Sequence, residues 1–185
     1  MARLFSIKPA LTLKGRKFKG IRGFAGKPTH PPLTDIPVAA YIMAATFDLI
    51  AMFATDGSET AHNFFIAATY VLAFGGAVSV PTALTGFGDW LKSTQKHTQA
   101  WRTANVHVAA MLTVTALVAV DLVIRWGEDL PSTGAVALSV IAGALVSIGA
   151  TYGGSLVYDY GFNIETSGDH PVWHESETDV YPGDH

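Results

Sequence analysis

The sequence predicts an all-α membrane protein, an antiparallel up-down bundle of four transmembrane helices with both termini in the cytoplasm. Three observations carry that expectation. The chain is 49% hydrophobic and only 15% charged, where soluble domains carry about 25% charged residues. Its charges are kept out of long runs: none lies in Thr60–Gly88, Thr103–Val120 or Leu130–Tyr158, and Ile36–Thr55 holds only Asp48. A helix needs about 20 apolar residues to cross the hydrocarbon, and these four runs supply them. The cations are lopsided as well. Arg3, Lys8, Lys14, Arg16, Lys17, Lys19, Arg22 and Lys27 precede Pro28, and Lys92, Lys96 and Arg102 lie in the second connection. Arg125 alone lies on the other side. The positive-inside rule places the cation-rich side in the cytoplasm.

Residues 1–28 read as a basic arm. Gly15, Gly20, Gly23 and Gly26 oppose a stable helix, and no apolar core of a secretory signal is present. Cations interleaved with Phe18, Ile21 and Phe24 suit anionic lipid headgroups; nucleic acid is not an expected partner. The first span is expected at about 34–55, with Thr34 or Asp35 as N-cap. The second is expected at about 62–90 and contains Pro81, which removes one backbone bond and favours a kink. Gly75, Ser79 and Ala83 form a small-residue face within it. The third is expected at about 103–126 and the fourth at about 133–158, with Gly143, Ser147, Gly149 and Gly153 as small-residue positions. Together, residues 29–162 form the transmembrane domain. Residues 163–185 form an acidic tail, in which His170, His174 and His185 accompany Trp173 and Tyr181. Its aromatic residues in an acidic context suit docking on a partner protein.

There are no cysteines, so disulfides, thiolate metal sites and cysteine nucleophiles are excluded. No nucleophile–base pair, phosphate loop or metalloprotease helix motif is present, and the chain is not expected to be an enzyme. What chemistry there is lies in polar groups inside the spans, which are costly there and face the bundle interior. Topology sorts them into two layers. The cytoplasmic layer holds His30, Asp35, Asp89, Arg102, Asn105 and His107; the outer layer holds Asp48, His62, Asp121 and Arg125. His107, about one turn inside its span, is the best-placed haem ligand. His30, folded back over the same end, is its expected partner, with His97 as a rival. Hydrogen bonding of His107 to Asp89 or to a free carbonyl is the structural alternative. Asp89 is expected to pair with Arg102 or Lys92. Asp121 and Arg125 are four residues apart and can pair along the helix, leaving Asp48 to find Arg125, His62 or a threonine hydroxyl. No bare-metal site is expected.

The motifs occur in the order His30-Pro31, Pro37, Asp48, Thr85-Gly86, Asp89-Trp90, Arg102, His107, Gly153-Gly154, Leu156-Val157-Tyr158 and Gly161. Over roughly residues 29–162 this resembles a bacterial family of four-span membrane proteins of unknown function, some of them fused to Rieske-type iron–sulfur domains. Two positions depart from that pattern. Ile36 stands where an aromatic is expected before Pro37, and Met111 stands where an Asn is expected one turn after His107. The resemblance implies the four-span fold, the bacterial inner membrane and an association with electron transfer. The leading expectation is a non-catalytic subunit of a larger bioenergetic complex, contacting other subunits through arm and tail. The alternatives are an electron-transfer protein with haem b on His107 and His30, and a proton or ion conduit through Asp48 and Asp121.

Overall fold

The computed structural model describes residues 20–23 and 28–162. Most of the basic arm, the whole acidic tail and the tail histidines lie outside the described residues. Four helices account for the body: α1 His30–Phe53, α2 Glu59–Ser93, α3 Gln99–Ile124 and α4 Thr133–Tyr158. All four are long and apolar enough to cross a membrane. The starts of α2, α3 and α4 have a readable cause. Ser58, Thr98 and Ser132 are N-caps whose hydroxyls accept from the amides of Ala61, Trp101 and Ala135, satisfying donors that a helix start leaves unpaired. Gly57 and Gly127, at φ +69° and +80°, turn the chain after α1 and α3 in a conformation that costs glycine little.

The helices begin and end within a few residues of the sequence expectation, with one consequential difference. α1 starts at His30, about one turn early, because Pro31 and Pro32 occupy its first turn, where no amide donor is needed. Its N-cap is Thr29, which makes no side-chain cap bond, rather than Thr34 or Asp35. Thr34 instead bonds the carbonyl of Pro31. Pro81 lies within α2, which remains one 35-residue helix. The small-residue face of α2 is Gly75, Ser79 and Thr82, all buried, while Ala83 is exposed. On α4 it is Gly143 and Gly149, with Ser147 exposed.

Short connections make sequential helices antiparallel neighbours. α1 packs on α2 and α4, α3 packs closely on α4, and α2 and α3 touch least. No backbone contact joins α1 to α3 or α2 to α4, so these are the diagonal pairs. The core between them is built from Tyr41, Leu72, Val114, Val118 and Val146. Close approach of α2 to α1 requires glycine at 75, where an added Cβ would lie 2.7 Å from that of Ala40.

The two hairpins repeat each other. Aligning α1 with α3 at an offset of 77 residues (107 − 30 and 125 − 48) pairs His30 with His107 and Asp48 with Arg125. The same offset pairs the buried residues Pro37, Tyr41 and Ala44 with the buried Val114, Val118 and Asp121. Aligning α2 with α4 at 67 residues (149 − 82 and 153 − 86) does the same. It pairs Ala68, Leu72, Gly75, Ser79, Thr82 and Asp89 with Ala135, Ser139, Ala142, Val146, Gly149 and Leu156, every one of them buried. The two hairpins therefore present their buried positions in the same register.

Candidate functional site

Polar side chains gather at the two ends of the bundle. At one end Arg125, the residue that caps α3, turns into the bundle. Its Nε and Nη2 donate to the two oxygens of Asp121, at 2.9 and 3.1 Å. Its Nη1 and Nη2 donate to the two oxygens of Asp48 on the diagonal helix α1, at 3.2 and 2.6 Å. Nη1 also donates to Thr69 Oγ1 of α2 at 3.2 Å. These bonds engage all five guanidinium N–H groups. The ring of Phe65 lies beneath the guanidinium at 4.8 Å, within cation–π range. The side chains of Arg125, Asp48 and Asp121 are fully buried. The arrangement is a tie among three helices. It fulfils the expected Asp121–Arg125 pair and gives Asp48 the first of its expected partners.

His62 of the same end does not join the cluster. Its Nδ1 bonds the carbonyl of Asp129 at 2.9 Å, fastening the start of α2 to the α3–α4 connection.

At the other end lie His30 and His107, which the repeat sets at equivalent positions on diagonal helices. Each ring is held in the same way. His30 Nδ1 donates to the carbonyl of Thr82 on α2 at 2.9 Å. His107 Nδ1 donates to the carbonyl of Gly149 on α4 at 2.8 Å. A carbonyl only accepts, so each Nδ1 carries the proton and each Nε2 presents a lone pair. Four residues beyond each carbonyl is a glycine against the ring face. A Cβ at Gly86 would lie 2.6 Å from His30 Cε1, and one at Gly153 would lie 3.0 Å from His107 Cε1.

The remaining candidates sit around this pair. Asp89 is buried, but its partner is neither Arg102 nor Lys92. It accepts from the backbone amide of Ile21 at 3.0 Å, which lies against the end of α2 beside Gly88. Arg102 is exposed. The indole N–H of Trp90 donates to Asn105 at 3.0 Å, bridging α2 and α3. His97 is exposed in the α2–α3 turn at φ +67°, its ring beside Trp101, which removes it from the ligand pair. Among the described residues, no three His, Cys, Asp or Glu side chains gather as a metal ion would need.

Sequence reasoning did not find Gly86, Thr82 and Gly149 as supports of the rings. The signal was present as the recurring interval between a carbonyl-bearing residue and a glycine on α2 and α4. It becomes meaningful only when the two hairpins are aligned on their histidines.

Comparison with curated proteins and with solved structures gives no match. Residues 26–166, which include all four helices and both polar levels, match the family described as Predicted membrane protein (DUF2231). The chain belongs to that family, a four-span membrane family without an assigned activity.

Proposed function

We propose that the domain holds a b-type haem between His30 and His107 and passes single electrons through it. One observation carries this reading. Two imidazoles hold equivalent positions in the two hairpins, on diagonal helices, with both Nδ1 atoms committed to backbone carbonyls. Histidine ligands to metals characteristically donate the other ring nitrogen to a carbonyl or carboxylate, which fixes the tautomer and the ring orientation. Neighbouring helix axes 8–10 Å apart place diagonal axes about 11–14 Å apart. A macrocycle with one imidazole on each face would have to fit within that span. A bare ion needs three or four protein donors, whereas haem supplies four nitrogens and asks the protein for two. The bound group would supply a reversible one-electron couple. The protein's own residues fix the ligand nitrogens, exclude water with the core below, and cover the site with the Ile21 segment. The count of Lys and Arg assigns this end to the cytoplasmic side.

The test is an absorption spectrum of the detergent-purified protein, oxidised and then reduced, with pyridine haemochrome quantitation. The reading expects a Soret band and a sharp reduced α-band at about one haem per chain, lost in His107→Ala. A clean baseline after expression with ample haem sinks it.

A second reading keeps the domain as a subunit of a larger membrane complex. The exposed Lys92, Lys96 and Arg102 at the α2–α3 connection support it, as a cationic surface for an acidic partner. Native electrophoresis of mildly solubilised membranes tests it: migration of the chain alone, with arm and tail intact, ends that reading. The conduit reading gains no support from a buried arginine whose donors are all engaged.

A further inference from the structure

The buried carboxylates of the helices are answered from within the bundle, Asp48 and Asp121 by Arg125 and Asp89 by the amide of Ile21. Asp35 is not. It lies in the second turn of α1, it is exposed, and among the described residues its carboxyl makes no hydrogen bond or ion pair. It stands in the wall of a groove of about 560 Å³ between the outer faces of α1 and α2. The groove has a simple cause. Gly75 lets α2 close onto α1 at Ala40, so the floor is made of small residues. Ile36 and Met43 on α1, and Tyr70 and Phe74 on α2, rise beside it as walls. Tyr70 and Phe74 are 72% and 61% exposed. From Asp35 to Met43 the groove follows α1 for ~12 Å, close to the ~15 Å hydrocarbon depth of one leaflet. The second hairpin supplies a contrast. At the offsets of the repeat, Asp35, Tyr70 and Phe74 correspond to Leu112, Ala137 and Ile141, so the carboxyl and both aromatic walls belong to the first hairpin.

A carboxyl on the lipid-facing surface of a span is costly without a partner. The Cβ of a helical residue tilts toward the helix N-terminus, which for Asp35 is toward the membrane surface at the His30 end. The partner that suits it is a cation or donor carried at headgroup level on an apolar chain. We propose that the α1–α2 groove binds an ethanolamine phospholipid, with its ammonium on Asp35 and one acyl chain laid between the walls. An ammonium brings a positive charge and three N–H donors. A choline headgroup brings the charge without a donor, and an anionic headgroup meets a like charge. The exposed Lys92, Lys96 and Arg102 of the α2–α3 connection select the opposite headgroup, so headgroup preference reports which surface holds the lipid. The inference is independent of the haem reading.

The test is native mass spectrometry of the full chain, delipidated in detergent and titrated with phosphatidylethanolamine, phosphatidylglycerol and phosphatidylcholine of matched acyl chains. Wild type is expected to retain the ethanolamine lipid about tenfold or more tighter than the other two. Asp35→Asn is expected to abolish that preference while still admitting a lipid. Ala39→Phe, which fills the groove from an exposed position, is expected to weaken retention of the ethanolamine lipid about tenfold or more. Both positions are exposed, and unchanged thermal unfolding confirms that the fold survives each change. Equal retention of the three lipids by wild type overturns the proposal and leaves annular lipid only. Preference for the glycerol lipid overturns it in favour of the cationic connection. An ethanolamine preference that survives Asp35→Asn, or retention that survives Ala39→Phe, puts the lipid elsewhere and overturns it as well. Ala39→Phe that alters the oligomeric mass and leaves lipid retention unchanged assigns the groove to a second copy of this chain instead.

Discussion

Arg125 donates to Asp48 across 77 residues of sequence, and the same 77 residues separate His30 from His107. The coincidence has a structural cause. In each diagonal helix the ion-pair residue follows the histidine by about five turns, ~27 Å along the bundle, and so lies on the same face. One end of the α1–α3 diagonal is closed by a salt bridge, and the other presents two imidazoles.

Arg125→Ala is expected to destabilise the protein by about 3–5 kcal/mol, because two carboxylates are left buried without their counter-charge. Replacing Arg125, Asp48 and Asp121 together by apolar residues of similar volume should restore most of that loss. Reversible unfolding in mixed detergent micelles measures both. A single substitution that costs nothing would show that the cluster is wet and not the dry tie described.

Gly86→Ala and Gly153→Ala should each push a histidine ring out of its seat. The cost is expected to be about 1–3 kcal/mol of stability; the proposed haem reading further requires haem retention to fall in parallel. Gly154→Ala is the control: nothing lies within 4 Å of its added Cβ, and alanine favours a helix by about 0.5–1 kcal/mol over glycine. Haem content per chain and thermal stability, read together, separate a ring-seat effect from a general loss of fold.

Tyr41 Oη and Ser79 Oγ share a buried hydrogen bond of 2.6 Å between α1 and α2. Tyr41→Phe is expected to cost about 1 kcal/mol, and a double-mutant cycle with Ser79→Ala should return a coupling of similar size. Additive losses would mean that Ser79 finds its partner elsewhere.

Ser58→Ala and Ser132→Ala each remove the hydroxyl that caps a helix at the connections nearest Arg125. Each should cost about 1 kcal/mol. Pairing either with Arg125→Ala should give near-additive losses, since the caps and the cluster share no partner. Equilibrium unfolding of the four proteins in each cycle checks this.

How much of the site was legible beforehand varies residue by residue. Asp121 and Arg125 were legible because both lie on one helix, where four-residue spacing is itself a distance. The partnership of Asp48 with Arg125 could be narrowed to three candidates by depth but not chosen. Asp89 was misread because proximity in sequence favoured Arg102 and Lys92. Its acceptor is filled instead by a backbone amide 68 residues upstream, and an amide leaves no trace in the identity of Ile21. His30 was readable as a ligand candidate, while its place inside the first turn of α1 was not, since three prolines near the start permit several entries.

The sequence alone determined the four spans, their order and their antiparallel pairing, because hydrophobic length and short connections leave a membrane chain no other arrangement. It also determined which polar groups belong to which end. Only the tertiary structure decided which of those groups meet. Diagonal contacts depend on the rotation of each helix about its own axis, which is set by the packing of residues such as Gly75 on Ala40 and Gly143 on Ala45. That rotation seats His30 and His107 each on a carbonyl of its own hairpin and brings Arg125 across to Asp48.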